Sequence, residues 1–256
     1  MNDNFENKLV EEEDLLVNSK NIEKTLKKKS SQNQIEYSKS EERFNIISHI
    51  VGAVFAVVGA TVNLVRVFIG TSRGQFNFPA LAIFSIILYG IGLFSLFLMS
   101  ALYHAQPLGS TRRVVFRRFD HCMIAVLIAA TYAPYMLIGM LQSSRSDIIW
   151  GIVIASVVLG MAVLVVVFNA INPQKFRKFC LVAYVIMGWA ALVRIDRVFV
   201  VLGPWAFALL LAGGIAYTVG IIFYKRKSLK FNHGIWHCFV ILGAALQFMS
   251  INLSVL

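Results

Sequence analysis

ALAIFSIILYGIGLFSLFLMSALY, residues 80–103, contains no charged side chain. A hydrocarbon core of about 30 Å takes roughly 20 helical residues at about 1.5 Å each, so this run is long enough to cross a bilayer as one helix. Six more apolar runs lie near 46–69, 119–141, 148–169, 179–193, 204–224 and 234–255. The run at 179–193 is the shortest, and the cations at its ends, Lys178 and Arg194, can snorkel to let it span. The fold expected is all-α: a polytopic membrane protein with seven transmembrane helices.

The rest of the chain agrees with this. Of 256 residues, 58% are hydrophobic and only 14% charged, with a mean hydropathy of +0.71, which excludes an ordinary soluble domain. The net charge of +11 would suit a nucleic-acid binder if the charges were spread over one surface, but they are not. Ten of the 13 acids fall in residues 1–43, leaving Asp120, Asp147 and Asp196 against 16 bases in the apolar body. Lipid, not nucleic acid, is the expected partner. Residues 1–40, rich in Lys, Glu, Asn and Ser, are expected to form a mobile charged tail whose Lys27, Lys28 and Lys29 can meet anionic head groups. The membrane domain is then 41–256. Cys122, Cys180 and Cys238 are far apart and set in or against apolar runs, which points to small buried hydrophobes and away from a disulfide framework or CxxC site. The first 43 residues hold no apolar run of signal-peptide length.

Loop charges orient the bundle, because Lys and Arg in short loops stay on the cytoplasmic side. The loops between spans 2 and 3, 4 and 5, and 6 and 7 together hold eleven bases, and the opposite loops hold four. The N-terminus is therefore expected in the cytoplasm and the C-terminus outside. Trp150 and Trp205 then fall near the outer interface and Trp236 near the inner one.

In this topology His49, His104, His121, His233 and His237 all lie toward the cytoplasmic ends of the helices. His233 and His237 are four apart in HGIWH, which puts both rings on one helical face, the geometry by which one helix gives two nitrogens to a metal. Ser100 and His104 in SALYH repeat the step and bring another imidazole and a hydroxyl at the same depth. Asp120 is the carboxylate that borders hydrocarbon on this side, a costly place unless it is paired or solvated. Three imidazoles with an open position match a catalytic zinc site, where the metal acidifies water and a nearby carboxylate accepts the proton. The competing reading has separate interfacial imidazoles bonded to head groups or backbone, and Asp120 paired with Arg117 or Arg118. Glu42, Asn45 and His49 form a stripe at the start of span 1 that either supports a metal or anchors the helix end by hydrogen bonding, the second reading being preferred. His121 is read as structural too.

The stretches EERFNIISHIVG (41–52), SALYH (100–104), RRFDHCMIAVLIAATYAPY (117–135), GGIAYTVGIIFYKRK (213–227) and HGIWHCFVILG (233–243) resemble the hemolysin III branch of the progestin and adiponectin receptor superfamily. The resemblance implies a seven-helix fold with the N-terminus inside and a zinc held by His104, His233 and His237. It makes Asp120 and Ser100 the residues that act on water beside the metal. It further implies hydrolysis of a lipid-like amide or ester, and residence in the bacterial cell membrane. Gln247 departs from the pattern, standing where many bacterial members carry His.

Two other functions compete with a zinc-dependent hydrolase. One is a sensor or receptor whose zinc is structural and whose tail reports a conformational change. The other, a pore-forming cytolysin, is disfavoured because pores need polar groups at mid-depth and the spans offer few, Arg66 lying near an outer end. Transport is disfavoured on the same ground.

Overall fold

A computed structural model describes residue 18 and residues 37–256 apart from 142 and 227. The expected tail falls almost wholly outside the described residues. These form an all-helical molecule: α1 (Lys39–Ser72), α2 (Pro79–Ala105), α3 (Thr111–Ala133) continued by π-helical turns over Pro134–Met140, α4 (Arg145–Ile171), α5 (Arg177–Trp189) followed by a 3-10 turn over Ala190–Arg194, α6 (Ile195–Lys225) and α7 (Asn232–Ser254).

Local chemistry sets most of these ends. Ser38 caps α1 through a capping box: its Oγ accepts from the Glu41 amide at 3.2 Å, and Glu41 Oε2 accepts from the Ser38 amide at 2.8 Å. The first helix therefore starts about two turns before the apolar run at 46–69. Ser144 and Asp147 build the same box on α4, Ser110 caps α3, and Pro79 opens α2 where its missing N–H costs nothing. Pro134 cannot supply the amide that regular α3 would need, and the ladder widens there.

Among the described residues six helical stretches are long and apolar enough to cross a membrane: Lys39–Ser72, Pro79–Ala105, Thr111–Met140, Arg145–Ile171, Arg177–Lys225 and Asn232–Ser254. Seven separate runs had been expected. The fifth and sixth are joined here in one 49-residue stretch, since the 3-10 turn continues α5 into α6. Gly203, at φ 74° and ψ 168°, breaks that stretch just before Pro204, a conformation glycine adopts without strain.

The outward faces are oily. Val51, Val58, Ile91, Val157 and Leu164 are each more than half exposed, as side chains that meet lipid would be. Such a surface gives helices little hydrophobic reason to associate, so close backbone approach has to hold them together. A Cβ at Gly92 of α2 would come within 2.6 Å of Ala130 Cβ of α3, and one at Gly90 within 2.8 Å of Ala60 Cβ of α1. Small residues thus wedge α2 between its neighbours. Cys122 and Cys180 are buried as expected, whereas Cys238 is exposed.

At the end of the bundle away from the histidines, Asp147 is fully buried and accepts from Arg197 Nε and Nη2, both at 2.7 Å, and from the Ser143 and Ser144 hydroxyls. Arg194 lies over the Trp150 ring at 5.0 Å. These contacts tie the start of α6 to the start of α4. Asp147→Ala would leave the guanidinium without its partner and remove the α4 capping box. Loss of a buried pair costs about 3–5 kcal/mol, and the 30% exposure of the Arg197 side chain moves the expectation to about 2–3 kcal/mol. A melt in detergent should shift down by about 5–10 °C, and a melting temperature within about 1 °C of wild type would contradict the role given to this clasp.

Candidate metal centre

His104 stands in the last turn of α2, and His233 and His237 in the first two turns of α7. The chain enters α7 through Phe231 in the left-handed region at φ 57°, and its amide donates to Glu41 Oε1 at 2.8 Å. Asn232 Nδ2 donates to the Tyr224 carbonyl at 3.2 Å, which fastens the start of α7 to the end of α6. These contacts aim both α7 histidines inward, where they are 9% and 1% exposed against 2% for His104.

The three imidazoles converge. One nitrogen from each lies within 4.8 Å of the others, and His104 Nε2 and His233 Nε2 are 3.1 Å apart. Two nitrogens held tetrahedrally at 2.0–2.1 Å from one zinc ion would be separated by about 3.3 Å. In two of the three rings the other nitrogen, Nδ1, is engaged. His104 Nδ1 donates to Glu42 Oε2 at 2.6 Å, and His237 Nδ1 meets the Ser48 hydroxyl at 3.4 Å. A proton held at Nδ1 leaves the Nε2 lone pair for a metal, so the donor set suits zinc chemically as well as geometrically.

Beside the triad opens a cavity of about 650 Å³, within the range of small-molecule sites. His233, His237, Ser100 and Asp120 line one end, and it continues among apolar side chains to Leu202 and Gln247. Of the site residues read from the sequence, His104, His233 and His237 converge, and Ser100 and Asp120 line the same cavity as His233 and His237. Among the described residues Arg117 and Arg118 form no salt bridge with Asp120, so that simple pairing is not made. His121 faces the same cavity, and its carbonyl accepts from the Tyr184 hydroxyl at 2.7 Å.

Tyr37 was not read from the sequence, whereas Glu42 and His49 belong to the stripe at the start of span 1. The early start of α1 carries Glu42 to the back of His104, so Asp120 is not the lone carboxylate at this end. Tyr37, just before that helix, stacks on His233 with ring centroids 5.0 Å apart and planes at 19°. His49 makes no helix-anchoring hydrogen bond: it is 3% exposed, stacks on His237 at 3.7 Å, and neither ring nitrogen has a hydrogen-bond partner among the described residues. Gln247 sits deep in the cavity wall, accepting from the Tyr135 hydroxyl at 3.0 Å and donating to the Leu210 carbonyl at 3.1 Å.

The model of the family described as haemolysin-III related matches residues 37–248. The chain belongs to the hemolysin III family. It is 34% identical over 216 residues to hemolysin-3 of Bacillus cereus, covering 84% of this chain and 92% of that protein. The hemolysin-3 homolog of Bacillus subtilis (strain 168) is 31% identical, with 82% and 92% covered. The human monocyte to macrophage differentiation factor is 28% identical over 172 residues, 64% of this chain and 67% of that protein. The apolar helices make this hemolysin III chain a multi-pass integral membrane protein. The matched region takes in Tyr37, Glu42, all five histidines and Asp120.

Proposed function

We propose that this hemolysin III protein is a zinc-dependent hydrolase of lipid-like amides or esters, working at the cytoplasmic face of a bacterial cell membrane. The observation that carries the reading is three converging imidazoles, a carboxylate and a hydroxyl at one end of an elongated, largely apolar cavity.

The charges and the contacts together support the seven-span topology. A 49-residue helical stretch measures about 73 Å, more than twice a hydrocarbon core. Tyr184 near its start bonds beside His121, Arg197 pairs at the far end of α4, and Tyr224 near its finish lies beside His233. These contacts support a stretch that crosses twice, hence seven spans, and the loop charges support a cytoplasmic place for the basic loops and the metal centre.

In the reaction, His104, His233 and His237 hold the zinc. When bound, such an ion polarises a carbonyl and acidifies water. Asp120 takes the proton from the attacking water and passes it to the leaving amine or alcohol as the C–N or C–O bond breaks, and the Ser100 hydroxyl donates to the oxygen on which negative charge develops. The cavity beyond, toward Leu202, receives the hydrocarbon chain and keeps bulk water from the reacting bond.

The test is a mass-spectrometric screen of long-chain amides and esters with purified protein in vesicles. Release of fatty acid that stops with 1,10-phenanthroline and returns with Zn²⁺ is expected. Folded, metal-loaded protein that cleaves none of the panel would sink the hydrolase reading. A second reading, a sensor with structural zinc, draws support from Tyr37: the segment that joins the tail to α1 lies on a metal-site ring. Deleting residues 1–36 separates the two, because a hydrolase keeps its lipid cleavage and a sensor loses its response.

A further inference from the structure

We propose that Glu42 is a positioning residue of the metal centre, fixing the His104 ring through Nδ1 so that Nε2 faces the ion, while Arg113 holds the carboxylate in place. This rests on the metal reading above and deepens it. Glu42 divides its two oxygens: Oε2 accepts from His104 Nδ1 at 2.6 Å, and Oε1 pairs with Arg113 Nη2. A salt bridge that merely joined helices would have no need of the second contact. Arg113 is itself locked. It is 2% exposed, its Nη1 donates to the Gln106 carbonyl at 2.8 Å, and its guanidinium lies 4.8 Å over the Tyr103 ring. A carboxylate from α1, an imidazole from α2 and a cation from α3 thus form one chain of contacts ending on a metal ligand. His237 has a neutral hydroxyl at 3.4 Å in the corresponding place, so the charged, short contact singles out His104.

Arg113 also decides what kind of help Glu42 gives. The guanidinium offsets the carboxylate charge, so the pair brings an oriented acceptor to Nδ1 with little net charge. It follows that an uncharged acceptor on the same arm should serve. Gln has one acceptor oxygen and one NH₂, so beside Arg113 it cannot satisfy both the cation and His104; with Arg113 removed it can accept from the imidazole.

Metal affinity, measured with chelator-buffered Zn²⁺ and again with Co²⁺ on the full chain in detergent, reads this directly. Loss of an outer partner of a metal-binding His typically costs about 10–100-fold in affinity. Glu42→Leu with Arg113→Met, which leaves no unpaired cation, should bind about 10–100-fold more weakly while its metal-free melting temperature in EDTA matches wild type. Glu42→Gln with Arg113→Met should recover to within about 3-fold of wild type. Should the apolar pair fail to fold, Glu42→Asp replaces it: Arg113 keeps its partner, the carboxylate retreats one methylene from Nδ1, and the same weakening is expected. Wild-type affinity in the apolar pair, or in Glu42→Asp where that stands in, overturns the inference, as does a Gln variant no tighter than the Leu one. Wild type that binds neither ion overturns the metal reading and this one with it, whereas tight wild-type binding matched by the variants overturns this one alone.

Discussion

His237→Ala is expected to emerge from purification without metal, and the wild-type chain with about one zinc ion. His237 is the most deeply buried of the three ligands and the one whose ring also supports His49. Its removal leaves two nitrogens from two different helices, and no cysteine is part of the cluster to replace it. The loss should exceed the 10–100-fold that removal of an outer partner costs. Two measurements check this. Elemental analysis of wild type and variant gives the stoichiometry. Melting with and without added Zn²⁺ gives the linkage: an ion at about 100 times its Kd stabilises the folded state by about 2.7 kcal/mol, so zinc should raise the wild-type melting temperature and leave that of the variant unmoved. A His237→Ala protein that keeps one equivalent of zinc would end the assignment of this triad.

Asp120→Ala should do the reverse, keeping the metal and losing turnover. The carboxylate lines the cavity with His233 and His237 but is not in the converging cluster, so the stoichiometry should stay near one. Proton transfer by a positioned side chain contributes about 10²–10⁴-fold, and turnover of whichever lipid amide or ester the screen identifies should fall by that factor. Unchanged turnover removes Asp120 from the chemistry. Loss of zinc together with activity would make it a part of the metal site instead. Read together, the two variants separate the residues that hold the ion from the residue that handles the proton.

What the sequence revealed of this molecule, and what it hid, divides along a physical line. Apolar runs and the HxxxH step are local: a helix fixes the relation of residues four apart wherever it lies, so the shared face of His233 and His237 and most of the helices are legible without a fold. The joining of α5 to α6 is less so, because the 3-10 turn at Ala190–Arg194 keeps the chain helical through the short apolar run. The contact of Glu42 with His104 spans 62 residues, and that of Asp147 with Arg197 spans 50. Neither has a local signature. The sequence places Glu42 in a stripe with Asn45 and His49 at the start of span 1, but it does not show which histidine that stripe meets, because His104 lies on another helix. Gly92 likewise became informative only once Ala130 was seen to press against it.

The flat stacking of Tyr37 on His233 has a practical side. A chain cut to begin at Tyr37 would start at the threshold of the metal centre, so an affinity tag of histidines fused directly ahead of Tyr37 would supply competing imidazoles within reach of the ion and corrupt any zinc count. Leu256 lies past the far end of α7, about 34 Å along that helix from its histidine end. A tag belongs there, and a fluorescent label meant to report ligand entry belongs at residue 37.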